Sequence, residues 1–253
     1  MRRSRLARRS RLALGATIAA QVLYPRVPEG VARTAATHGI IGMLVGTSAL
    51  EAAEERGARR AALLLGSAAG IGYAVELVGV ATGRPFGHYV YTRKLGPGVR
   101  GVPFMVGASW VAMARPAWVA AGRATRNHGR LARVVAAAGG LAAWDVYIDP
   151  RMSRDGYWSW PGGGRYEGVP AVNFLGWFGT AAVVYALWTA LGEDLDERDA
   201  DGDVALATYA WTWAGEAIAN VAFFGRPRVA AAGGLAMGAL AVPALRARLR
   251  PWA

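Results

Sequence analysis

Three acidic side chains, Glu76, Asp145 and Glu216, fall inside long apolar runs of this 253-residue sequence. A carboxyl kept in a membrane-like run costs roughly 2.5–3.5 kcal/mol, so such positions are candidates for proton transfer or ligand binding. Asp145 and Asp149 form a DxxxD pair one helical turn apart. That spacing can hold magnesium against a diphosphate, although no second aspartate-rich motif occurs in another apolar run. Asp149 precedes Pro150 and equally fits the end of a helix. Glu216 and Asn220 share a helix face at i,i+4 and can bond to each other. Each position also has a structural reading. Glu76 or Asp145 can pair with Arg33 or His38 to lock helices together, Glu51 sits at a helix end, and Arg115 before Pro116 reads as a side chain snorkelling at a kink.

Aromatic residues supply the second chemical element. Tyr157-Trp158-Ser159-Trp160-Pro161, followed by Gly162, Gly163 and Gly164, reads as an interfacial loop. Such residues anchor helices at the membrane surface, and their faces can also hold a flat apolar ligand or a passing carbocation. The remaining inventory narrows the chemistry. There is no Cys, which removes disulfides, thiolate nucleophiles and cysteine metal sites. His38, His88 and His128 form no HxxxH spacing, Lys94 is the lone lysine with no phosphate-binding loop around it, and no GxGxxG follows a strand. The expectation is no cofactor and no metal. Asp199, Asp201 and Asp203 alternate as in a calcium loop, but the Gly and the distal Glu are misplaced, so the acidic run from Glu193 to Asp203 reads as a solvated linker.

The elements that must carry these residues are apolar helices. The chain is 54% hydrophobic with 18% charged residues and a mean hydropathy of +0.22, a balance that points away from a soluble domain. Its net charge of +12 comes from arginines that punctuate apolar runs rather than forming a basic face, which argues for membrane anchoring and against a nucleic-acid partner. A bilayer core of about 30 Å needs about 20 helical residues. Eight spans are expected: Leu12 to Tyr24, Val31 to Ala53, Ala58 to Val80, Val99 to Ala121, Leu131 to Asp149, Val169 to Leu191, Val204 to Phe224 and Val229 to Leu245. The first follows an arginine-rich stretch that also resembles an export signal, and it is read as an uncleaved anchor. The fold class is therefore all-α, a polytopic integral membrane bundle in one domain spanning residues 1–253. The arginine bias of the loops favours cytoplasmic termini and a plasma-membrane location. The loops Gly83 to Arg100 and Pro150 to Glu167 are separated by two spans and must share one side. On that topology Glu76, Asp145, His38 and Asn173 all fall within the last turns before the motif-bearing side.

Those two loops carry a family resemblance. GHYVYTRKLGPGVRGVPFMVGASW, from Gly87 to Trp110, resembles the signature of the membrane carotenoid-biosynthesis protein family, and WDVYIDPRMSRDGYWSWPGGGRYEGVPAVNFLGWF, from Trp144 to Phe178, agrees with it. The resemblance runs roughly from Glu76 to Leu191. The family looks like the carotenoid 1,2-hydratases, including bisanhydrobacterioruberin hydratases of C50 pigment synthesis, which add water to an acyclic end group. It implies an acyclic carotenoid substrate, C40 or C50, a lipid bilayer and association with other membrane enzymes of the pathway. It also suggests roles. Asp145 or Glu76 would protonate the terminal double bond, because an apolar site keeps a carboxylic acid in its protonated form. Tyr91, Tyr157, Trp158 and Trp160 would face the cation. Asp149 or the second carboxylate would orient water, and Asn173, His38 and Glu216 would complete the lining. Two other readings remain open: a magnesium-dependent prenyltransferase or lycopene elongase using Asp145 and Asp149, and a non-catalytic carotenoid-binding protein.

Overall fold

A computed structural model describes residues 2–193 and 203–249; Asp199 and Asp201 of the acidic run lie outside them. The described residues form eight long helices: α1 (Arg2–Leu23), α2 (Val31–Arg56), α3 (Ala58–Thr82), α4 (Phe104–Ala124), α5 (Arg130–Arg154), α6 (Ala171–Ala190), α7 (Asp203–Ala222) and α8 (Pro227–Leu249). Two short antiparallel ladders sit in the connections, β1 (Val90–Tyr91) with β4 (Trp158–Ser159), and β2 (Gly98–Val99) with β3 (Val102–Pro103).

Four of the helices, α3, α5, α6 and α8, are long and apolar enough to cross a membrane. The expectation of eight comparable spans therefore holds for the number of helices and not for their apolarity. Packing explains α4. It lies against α2, α3, α5, α7 and α8, and every residue from Ala112 to Arg123 is buried. A helix sheltered on all sides can be built from Ala, Gly and polar residues that meet partners, whereas lipid-facing helices need large apolar side chains. Close approach depends on small residues. A Cβ on Gly72 of α3 would stand 2.4 Å from the Trp110 ring of α4, so α3 admits that indole only as glycine.

The helix boundaries differ from expectation in two instructive places. The fourth span begins at Phe104 rather than Val99, because Gly98 to Pro103 forms a hairpin whose central residues Arg100 and Gly101 have φ of 50° and 83°. Two left-handed residues in a two-residue loop match the twist of the paired strands. Tyr73 Oη binds both sides of the turn, donating to the Val102 carbonyl at 2.8 Å and accepting from the Val99 amide at 3.3 Å. The fifth span does not end at Asp149 but runs through Pro150 to Arg154. Proline removes the amide that would have bonded the carbonyl four residues earlier. The Tyr166 hydroxyl supplies the missing donor, reaching the Val146 carbonyl at 2.8 Å. The same solution appears in α4, where Pro116 frees the Ala112 carbonyl and Ser48 of α2 donates to it at 2.9 Å.

Arg115 does not snorkel. It is 1% exposed, and its guanidinium bonds Glu51 of α2 twice, at 2.8 and 3.2 Å, and Glu193 at the end of α6 at 3.1 Å. Glu193 in turn accepts from Arg56 at 2.7 Å and Arg60 at 3.4 Å. This cluster ties α2, α3, α4 and α6 together away from the motif-bearing loops. Arg115→Met strands the buried Glu51 carboxylate and is expected to cost about 3–5 kcal/mol of unfolding free energy. Arg248→Met, at the half-exposed pair with Asp203 (2.7 Å), should cost no more than about 1 kcal/mol. Denaturant unfolding of both variants in detergent compares the two; equal losses would mean that the buried cluster is not what holds these helices.

Candidate active site

The two motif loops meet. Val90 pairs with Ser159 and Tyr91 with Trp158, which requires Gly83 to Arg100 and Pro150 to Glu167 to lie on the same side of the bundle, as the span count implies. The clip is reinforced by side chains: the Thr92 hydroxyl donates to the Gly156 carbonyl at 2.8 Å, Lys94 Nζ to the Asp155 carbonyl at 2.5 Å, and the Trp160 indole to the Phe86 carbonyl at 3.1 Å. Beneath the clip lies a cavity of about 280 Å³.

Glu76 from α3, Asp145 and Asp149 from α5, and Asn173 from α6 all line this cavity, and each is no more than 3% exposed. Three carboxyls from two helices thus converge under the loops. Each is held differently. Glu76 Oε2 accepts from the Tyr89 hydroxyl at 2.5 Å and from Tyr91 at 2.9 Å. Burial and the neighbouring Glu76 push both phenols up from their ordinary range, so both stay protonated donors at neutral pH. Asp149 Oδ2 accepts from Asn173 Nδ2 at 2.5 Å, with Trp158 beside the same carboxyl. Asp145 Oδ2 is buried and has no hydrogen-bond partner. A buried polar atom without a partner is costly, and one that faces a cavity is available to whatever occupies it. Among the described residues no group of three His, Asp or Glu has a metal-holding arrangement.

The cavity wall is aromatic. Trp158, Trp160 and Tyr91 line it together with Phe86, Tyr89, Trp144 and Trp177. Trp177 is set by stacking on Trp110, ring centroids 4.2 Å apart and planes 9° from parallel, so the glycine at position 72 controls a residue of the wall two layers away. Two of these had legible signals. Tyr89 and Tyr91 are two apart in extended chain and face one side, and Trp177 is one helical turn beyond Asn173.

Other expectations are redirected. Tyr157 is buried but is not part of the cavity lining; its hydroxyl meets Thr37 at 3.1 Å, and Thr37 itself lines the cavity. His38, next along α2, does not line it either. Glu216 does, but its carboxylate pairs with Arg151 at 3.1 Å, while Asn220 donates to the Glu216 backbone carbonyl at 2.9 Å. Neither Arg33 nor His38 is a hydrogen-bond partner of Glu76; Arg33 donates to the Val27 carbonyl at 2.8 Å.

Tyr166 positions this site indirectly, by completing the turn of α5 that holds Asp149. Tyr166→Phe leaves the Val146 carbonyl without a donor and is expected to cost about 1–3 kcal/mol of stability. The same change should speed proteolysis between residues 150 and 156; unchanged cleavage there would show that α5 does not need the bond.

Comparison with known proteins places these features in a family. Among curated proteins, a bisanhydrobacterioruberin hydratase from Haloarcula japonica is 31% identical over 136 residues, covering 51% of this chain and 45% of that protein. The chain thus spans about half the length of the curated relative it matches. No solved structure matches it. The family model described as carotenoid biosynthesis protein matches residues 36–241, from the start of the cavity lining in α2 to α8, and the chain belongs to that family.

Proposed function

We propose that the protein is an intramembrane hydratase that adds water across the terminal double bond of an acyclic carotenoid. In this reading all eight helices span the bilayer as one domain, with both termini in the cytoplasm. The observation that carries the chemistry is the unpartnered Asp145 oxygen, set among two held carboxyls in an aromatic cavity. Membership of the carotenoid-biosynthesis family and the likeness to a protein named as a hydratase support the substrate class and the reaction.

The step needs a proton donor, a shelter for a tertiary cation and a placed water. Asp145 gives its proton to the less substituted alkene carbon, the π electrons form that C–H bond, and the positive charge falls on the tertiary carbon. The faces of Trp158, Trp160 and Trp177 stabilise the cation. Asp149, fixed by Asn173, takes a proton from water as the oxygen bonds to carbon, and proton return to Asp145 closes the cycle. Glu76, with Oε2 engaged by two phenol donors, fixes Tyr89 and Tyr91 in the wall. Asp145 is preferred to Glu76 as the donor because its oxygen is open while Glu76 Oε2 is already occupied.

Expression in a lycopene-producing host checks the reading. The wild type should yield a pigment heavier by one or two waters by mass spectrometry, and Asp145→Asn should lower its formation by about 10²-fold or more. EDTA should leave the yield unchanged. Loss of activity with EDTA together with a requirement for an isoprenyl diphosphate would replace hydration by prenyl transfer, and coloured but unaltered pigment would make the protein a binder.

A further inference from the structure

The lining of the cavity reaches the surface at apolar residues. Of the residues that line it, three are exposed at the surface: Val22 (47%), Ile218 (60%) and Phe223 (53%). All three are apolar, and all lie at the C-terminal ends of α1 and α7 or in the turn after α7. Leu23 and Val221 continue the exposed apolar surface on either side. The two helices meet sparingly, and a side-chain bond between them, Trp211 Nε1 to Gln21 Oε1 at 2.8 Å, joins two residues that themselves line the cavity. Glu76, Asp145, Asp149 and Asn173 are buried under the loop clip, and on α7 the one charged lining residue, Glu216, is neutralised by its ion pair with Arg151 at 3.1 Å.

Size makes the mouth consequential. A cavity of about 280 Å³ is at the small end of pockets that enclose a drug-sized ligand, about 300–1,000 Å³. It can surround one end group of a long hydrocarbon, and the rest of the chain must leave through an opening. The exposed lining of Val, Ile and Phe passes hydrocarbon with little desolvation cost, and the Arg26 guanidinium, 6.0 Å above the Phe223 ring, sits at the outer rim where such a side chain can reach water.

We propose that the cleft between the C-terminal ends of α1 and α7 is the passage by which a long polyene enters from the bilayer, end group first, and in which its undocked length rests during reaction. The proposal builds on the carotenoid reading of the site. Gln21 and Trp211 form the latch of the passage, and Val22, Ile218 and Phe223 its lipid-facing edge.

Val22→Trp and Ile218→Trp narrow the passage. Leu235→Trp, on α8, 78% exposed and outside the lining, adds similar bulk on another helix and controls for folding. Each protein is purified in detergent from a lycopene-producing host, and the pigment that accompanies it is measured per mole by absorbance, alongside its melting temperature. The two mouth variants should carry about tenfold less pigment than the wild type and Leu235→Trp, the equivalent of about 1.4 kcal/mol in binding. Equal pigment in all four proteins, or equal loss in all three variants, overturns the passage. Because pigment retention is read separately from product, loss confined to the mouth variants in a protein that forms no hydrated product would keep the passage and reject hydration. Hydration at wild-type rate by both mouth variants, with pigment retained, would do the reverse.

Discussion

A polar atom inside an apolar bundle must find a partner or cost several times what it costs near water, and this constraint organises the molecule. The carbonyls freed by Pro116 and Pro150 are met by Ser48 and Tyr166. Arg115 is met by two carboxylates, and Glu76 and Asp149 are met by tyrosines and an asparagine. Among the described residues several buried side-chain atoms go without a partner, the indole nitrogens of Trp110 and Trp118 and Asn220 Oδ1 among them. Asp145 Oδ2 is the carboxyl oxygen in that set, on a residue lining the cavity beside neighbours that took the nearby donors.

The loop clip is what makes the site from helices that are far apart in sequence. The β1 and β4 strands are only two residues each, yet they put Tyr91 opposite Trp158 and so close one end of the cavity over carboxyls delivered by α3 and α5. Two-residue ladders have little stability of their own. Here the threonine, lysine and tryptophan bonds to loop carbonyls add to the ladder, which explains why the segments read in sequence as loops with motif-like composition rather than as strands.

Much of this arrangement was legible in the sequence. Acids inside apolar runs pointed to Glu76 and Asp145, and counting spans put the two aromatic loops on one side. What was not legible is pairing over distance. Arg115 read alone is a snorkelling side chain, because its partners Glu51 and Glu193 are 64 and 78 positions away. Asp149 before Pro150 read as a helix end, because a tyrosine beyond the turn repairs the helix. Tyr157, in the middle of an aromatic run, faces Thr37 while its neighbours face the cavity, a distinction that strand alternation produces and composition hides.

On the proposed reading in which all eight helices span the bilayer, the buried position of Arg115 also bears on how the chain reaches its membrane form. An arginine near the middle of a helix opposes insertion of that helix by itself by roughly 2.5–3.5 kcal/mol. Glu51 is synthesised before Arg115, so α2 can escort α4 out of the insertion machinery as a neutralised pair. Glu193 follows only once α6 is complete. Biogenesis on these terms is a relay between helices rather than a series of independent insertions, with the last carboxylate arriving to close a charge cluster that earlier segments left half balanced.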